Sequence, residues 1–217
     1  MTINGPHQNQ PILAAGTPLA DARAAMIMIH GRGASAENIL EIASLVDPGG
    51  GVAYLAPQAA NATWYPNSFL APIPANEPGI SSGLALIQTI LDHIASSGVP
   101  TEKTMLLGFS QGACLSMEFI ARNARRYGGG VALSGGVIGP EGTPRDYDGS
   151  LDGTPIFLGC SDVDFHIPKE RVEESNEVFK KMGADVTMRL YPGMGHTTNQ
   201  DEIDFVSGMV KALVETN

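Results

Sequence analysis

"LLGFSQGAC", residues 106–114, carries an apolar run straight into Gly108-Phe109-Ser110-Gln111-Gly112 and then resumes with small and apolar residues. A buried strand that ends in Gly-x-Ser-x-Gly and continues as a helix must turn sharply, and the two glycines remove the side chains that would clash in the turn. Such a turn strains the backbone of Ser110. It also leaves the residue at a helix N-terminus, where unpaired N–H groups and the helix dipole favour developing negative charge. The motif serves either close strand-to-helix packing or the display of a nucleophilic hydroxyl, and the second use needs a base elsewhere in the chain.

Working outward, short apolar runs recur at 24–29, 52–56, 104–108, 130–134, 155–159 and 186–190. Most are continuous rather than alternating, as parallel strands covered on both faces require. Between them lie helical periods. Leu84, Ile87, Leu91 and Ile94 follow a 3.6-residue repeat that stops near Gly98-Val99-Pro100. Pro168 opens another helix, with a stripe through Val172, Phe179 and Met182 to Gly183. Ser35 caps a third helix, Ser110 begins one running to about Arg126, and Ile203, Val206, Val210 and Leu213 mark the last. Strand alternating with helix predicts an α/β fold, a doubly wound, mostly parallel sheet with helices on both faces. "PILAAGTPLAD" before the first strong strand is expected to add an antiparallel edge hairpin turning near Gly16 and Pro18.

The 217 residues suit one domain, 1–217, with residues 1–10 as a flexible tail. Residues 57–79 hold five prolines and no helical or strand period, so they are expected to form a long loop. Trp64, Tyr65 and Phe69 are too bulky and apolar for a solvated loop, so a short lid packed over a substrate pocket is expected.

No apolar stretch is long enough to span a bilayer, and the N-terminal sequence lacks a basic and apolar secretory pattern. Cys114 and Cys160 sit in or beside apolar segments as buried free thiols do, which suits the cytoplasm. With 23 acidic against 13 basic residues and a net charge of −10, the chain is a poor match for nucleic acid. Arg122, Arg125 and Arg126, the nearest approach to a basic cluster, stand where cations complement a helix C-terminus.

A serine hydroxyl needs a base to take its proton. Of the five histidines, His7 lies in the expected tail, His30 precedes the serine, His93 borders a helical stripe and His166 stands just before a helix start. His196, in "YPGMGHTTNQ", follows a strand and two glycines, where ligands and catalysis gather in open α/β sheets. "FLGCSDVDFHIP" supplies Asp164, with Asp162 in reserve, to orient the imidazole. The order Ser, Asp, His is that of the α/β-hydrolase arrangement. Backbone N–H groups of Gln111 and of Arg32, in "IHGRGAS", are placed to form an oxyanion hole, and the latter stretch lacks the spacing of a dinucleotide or P-loop motif.

With "HGRG", "APQ", "GFSQGA", "SDVDFHIP" and "GMGH" in this order, nearly the whole chain resembles the phospholipase/carboxylesterase family of α/β hydrolases, small esterases that include acyl-protein thioesterases. The resemblance implies Ser110 as nucleophile, Asp164 as acid, His196 as base, and the N–H groups of Arg32 and Gln111 as oxyanion hole. Arg32 stands where the thioesterases tend to be apolar, and "NATWYPNSFLAP" differs from their lid. The expected function is a serine carboxylesterase on small to medium acyl esters, acting through an acyl-enzyme without cofactor or metal. Alternatives are a lysophospholipase, a thioesterase, a dienelactone-type hydrolase, or a non-catalytic hydrolase fold that binds a ligand. The expected partner is a small ester, with no nucleic acid and no membrane span; a homodimer is left open.

Overall fold

The computed structural model describes residues 5–215. Its sheet has seven strands in the order β1-β3-β2-β4-β5-β6-β7. These are β1 (Ile12–Gly16), β2 (Ala24–Ile29), β3 (Val52–Pro57), β4 (Thr104–Phe109), β5 (Gly129–Leu133), β6 (Pro155–Ser161) and β7 (Asp185–Tyr191). All neighbours pair in parallel except β1, which runs antiparallel to β3. The expected edge hairpin is therefore corrected: the antiparallel edge strand exists, but it pairs with β3 rather than folding back on β2. After Gly16 the chain passes through a single 3₁₀ turn, Leu19–Asp21, before entering β2.

Four helices lie between strands, α1 (Ala36–Val46), α2 (Gly79–Ser96), α3 (Gln111–Arg122) and α4 (Lys169–Lys181), and α5 (Gln200–Glu215) follows β7. Strand β2 explains why the apolar runs are continuous. Ala24, Met26 and Met28 face a core completed by α1 and α5, whereas Ala25, Ile27 and Ile29 face one completed by α2, α3 and α4. Each large apolar side chain fully removed from water on either face contributes about 1.5–3 kcal/mol. Ser35 caps α1 as its sequence position requires: its hydroxyl accepts from the Asn38 N–H while the Asn38 side chain accepts from the Ser35 N–H.

Residues 5–10, expected within a flexible tail, are packed against the body of the protein; residues 1–4 lie outside the described residues. His7 is buried: its N–H bonds to the Ser82 hydroxyl, Nε2 donates to the Trp64 carbonyl and Nδ1 accepts from the Ala60 N–H. Local sequence could not reveal this, because every one of those partners lies more than 50 positions away.

The segment between β3 and α2 is irregular, with 3₁₀ turns only at Ala60–Ala62 and Ile73–Asn76. It emerges, like the connections after β2, β4, β6 and β7, from the C-terminal edge of the parallel sheet, so the candidate residues of all five connections converge on one rim.

Candidate active site

The β4–α3 turn is built on mutual exclusion of side chains. A Cβ on Gly108 would lie 2.3 Å from the backbone of Gly112, and one on Gly112 would lie 2.1 Å from the Ile29 carbonyl oxygen. Ser110, held between them, has φ 54° and ψ −117° and stands as the N-cap of α3 without using its side chain as a cap. Its N–H is tied to the Leu133 carbonyl at 2.9 Å. The hydroxyl therefore points away from the helix.

It meets His196. Nε2 of the imidazole lies 2.8 Å from Ser110 Oγ, and Nδ1 lies 2.6 Å from Asp164 Oδ2. With Nδ1 donating to the carboxylate, Nε2 is left to accept the serine proton. Asp164 is in turn fixed by its other oxygen, which accepts the N–H groups of His166 and Ile167 at 2.8 and 3.1 Å. Burial raises the proton affinity of this carboxyl, but the bonds from His196 and the two backbone amides outweigh it and hold the group below its ordinary range. The Cys160 thiol, pushed up to about 12 by burial, remains a protonated donor facing the same Oδ2 at 3.9 Å.

Asp162, the reserve acid, does something else. Its Oδ1 accepts the Gly193 N–H at 2.8 Å, and Ser161 Oγ accepts the Gly195 N–H at 3.1 Å. These two bonds lash the histidine loop to the end of β6, and Asp162 acts as a tether for that loop rather than as the imidazole's partner.

A cavity of about 420 Å³ opens beside the hydroxyl, lined by Arg32, Ser110, Gln111 and His196 at its polar end and by Tyr65, Phe69 and Ile167 among its apolar walls. No carboxylate lines it. Of the three aromatics expected at a pocket, Tyr65 and Phe69 are there. Trp64 is corrected: it lies outside the cavity wall, fully buried between the rings of His7 and His30, each 5.1 Å from its own, and its indole N–H donates to the His30 carbonyl. It anchors the loop from below. The Arg32 guanidinium bonds the carbonyls of Pro66 and Asn67 at 2.8 and 2.6 Å, clamping the loop from the rim.

Several side chains have roles here that the sequence pattern did not assign to them. The Gln111 side chain accepts the Trp64 N–H at 2.8 Å and donates to the Tyr65 carbonyl at 2.8 Å, so this residue joins the elbow to the loop. His30 is wholly buried, its Nε2 accepting the Ala59 N–H. Burial lowers the pKa of both His7 and His30, more than their carbonyl partners raise it. His166 stands edge-on to His196 with ring centroids 4.8 Å apart and lines the cavity. Only its place two residues after Asp164 could have marked it in the sequence. Cys114 forms part of the same wall, and burial pushes its thiol up to about 12.

A serine raised on a strand-turn-helix elbow at the C-terminal rim of a doubly wound sheet, facing an imidazole and a carboxylate delivered after later strands, defines the α/β-hydrolase class. Within it, the family model described as phospholipase/carboxylesterase matches residues 12–214, and the chain belongs to that family. A phospholipase/carboxylesterase from Dyadobacter fermentans, known from its crystal structure, is 40% identical, with a TM-score of 0.89 over 94% of this chain and 97% of that one. The Bacillus cereus carboxylesterase shares the fold at 18% identity, with a TM-score of 0.75 over 95% of both chains. Acyl-protein thioesterase 1 of Kluyveromyces lactis is 32% identical over 62% of this chain and 61% of its own length. The chain thus spans under two thirds of the length of such curated relatives. Among the described residues, no helix is long and apolar enough to cross a membrane.

Proposed function

We propose that the protein is a serine carboxylesterase that hydrolyses small to medium acyl esters through an acyl-enzyme. The observation that carries this reading is the unbroken hydrogen-bonded line Ser110 Oγ, His196 Nε2, His196 Nδ1, Asp164 Oδ2, with spacings of 2.8 and 2.6 Å. Ser110 Oγ attacks the ester carbonyl carbon while His196 Nε2 takes the hydroxyl proton. The tetrahedral oxyanion is received by the backbone N–H groups of Arg32 and Gln111. The C–O bond to the alcohol then breaks, and Nε2 returns the proton to the leaving oxygen. Water, deprotonated by the same nitrogen, releases the acid. Asp164 keeps Nδ1 protonated and stabilises the imidazolium.

Residues 57–79 form the lid-like cover of the pocket, and Tyr65 and Phe69 contact the acyl group. A buried pair of free thiols, Cys114 and Cys160, suits a reducing compartment such as the cytoplasm.

Thioesters are the second reading, favoured by the thioesterase relatives. The test is labelling of Ser110 by a fluorophosphonate together with turnover of p-nitrophenyl butyrate and of a butyryl thioester. A folded protein that neither labels nor turns over removes the hydrolase reading.

A further inference from the structure

A second cavity, of about 370 Å³, adjoins the first and is lined by Ile39, Ile42, Asn38, Thr197 and Thr198 on its own side. Gly31, Ala34, Phe109 and His196 line both cavities and form the wall between them. Ser110 and Gln111 line only the first. We infer that the second cavity is the leaving-group subsite and takes an alcohol with an apolar chain of a few carbons. This rests on the esterase reading above.

Proton and bond positions decide which cavity takes which half of the ester. After attack, the acyl carbon is bonded to Ser110 Oγ and its oxygen faces the Gln111 amide, so the acyl chain must occupy the cavity that holds both residues. The leaving oxygen has to receive a proton from His196 Nε2, so what hangs from that oxygen extends along the imidazole and away from the acyl chain. The second cavity meets that requirement, since it borders the imidazole without touching the nucleophile. Ile39, Ile42, Ala34 and Phe109 provide apolar contact, and its volume falls in the range of small-molecule sites.

Gly31 stands at the divide, packed so closely that a Cβ there would lie 3.2 Å from the Phe109 ring and 3.5 Å from Ser110 Cβ.

The half-buried Ile42 gives the test. Two ester series are compared in the parent, Ile42→Trp and Ile42→Ala: butyrate esters of methyl through hexyl alcohols, and methyl esters of acetic through octanoic acids. The expected result for Ile42→Trp is a drop of about tenfold or more in kcat/KM for hexyl relative to methyl butyrate, in line with what a methylene or two is worth in a pocket. Ile42→Ala should shift the optimum to longer alcohols. The loss should fall on acylation, measured by the pre-steady-state burst, since the alcohol has departed before deacylation. If the Ile42 variants instead change the acyl-length profile, or leave the alcohol profile as in the parent, the subsite assignment is overturned while the esterase reading stands. Absence of turnover for every ester removes both.

Discussion

Nε2 of His196 lies 2.8 Å from Oγ of Ser110, a residue 86 positions away, and each is held there by the end of a different strand. The serine can hold its unusual backbone because Gly108 and Gly112 carry no side chain to block the close approach of β4 and α3. The imidazole owes its place to Ser161 and Asp162, which tether the loop it rides on.

Replacing Ser110 separates chemistry from strain. Both Ser110→Ala and Ser110→Gly should lower kcat by about 10⁴-fold or more, as loss of a triad member does. At φ 54° and ψ −117°, however, alanine keeps a Cβ in a region that only glycine enters freely. Ser110→Gly should therefore be the more stable of the two by about 1 kcal/mol, measured by urea unfolding. Equal stability would show that the elbow stores no strain.

Asp164→Asn should lower kcat about 10³- to 10⁴-fold, because the amide can present its NH₂ to Nδ1 and turn the ring to the wrong tautomer. Asp162→Asn, whose amide oxygen can still accept the Gly193 N–H, should leave kcat within a few-fold of the parent. Steady-state kinetics on one ester distinguishes them, and equal losses would return Asp162 to candidacy as the acid.

Two adjacent amides, Ala59 and Ala60, donate to His30 Nε2 and His7 Nδ1, so protonating either ring removes an anchor of the aromatic loop. Unfolded imidazoles titrate at the ordinary value of 6.5, and both buried ones titrate below it. The unfolded chain thus binds more protons just below that pH. The stability these residues contribute is complete above 6.5 and is lost as pH falls through the window beneath it. Trp64 is the sole tryptophan, so its emission should shift to the red on acidification below about pH 6 while far-ultraviolet circular dichroism stays native.

Glu202 behaves in the opposite sense. Its Oε2 accepts the Asn199 N–H at 2.9 Å at the start of α5, while Oε1 is buried without a hydrogen-bond partner among the described residues. Burial raises its pKa to about 7 from an ordinary 4.5, with neighbouring Asp201 adding to the shift and the Asn199 amide opposing it. Between these values the folded chain binds more protons, so its contribution to stability declines as pH rises. Glu202→Gln should flatten that decline. Its Tm relative to the parent should increase between about pH 5 and pH 8, and a constant difference would count against a buried ionisation.

Part of this architecture is written in local pattern and residue order. Continuous apolar runs mean strands covered on both faces. Gly-Phe-Ser-Gln-Gly after one of them means a sharp elbow, and an Asp and a His after later strands have to emerge at the same rim. Contacts made only when distant segments meet are not written there. Asp162 and Asp164 are chemically alike and two positions apart; only the path of the histidine loop puts one on the imidazole and the other on the Gly193 amide. Trp64 is legible as too large for a solvated loop, but not as lying beneath the loop rather than in the pocket, because its partners are His7 and His30. His7 itself sits in a polar stretch with no periodicity, and its burial arises from partners in the aromatic loop and α2. Periodicity records which face of an element is dry, whereas the choice between chemically equivalent side chains is made by packing across many residues, which no local window contains.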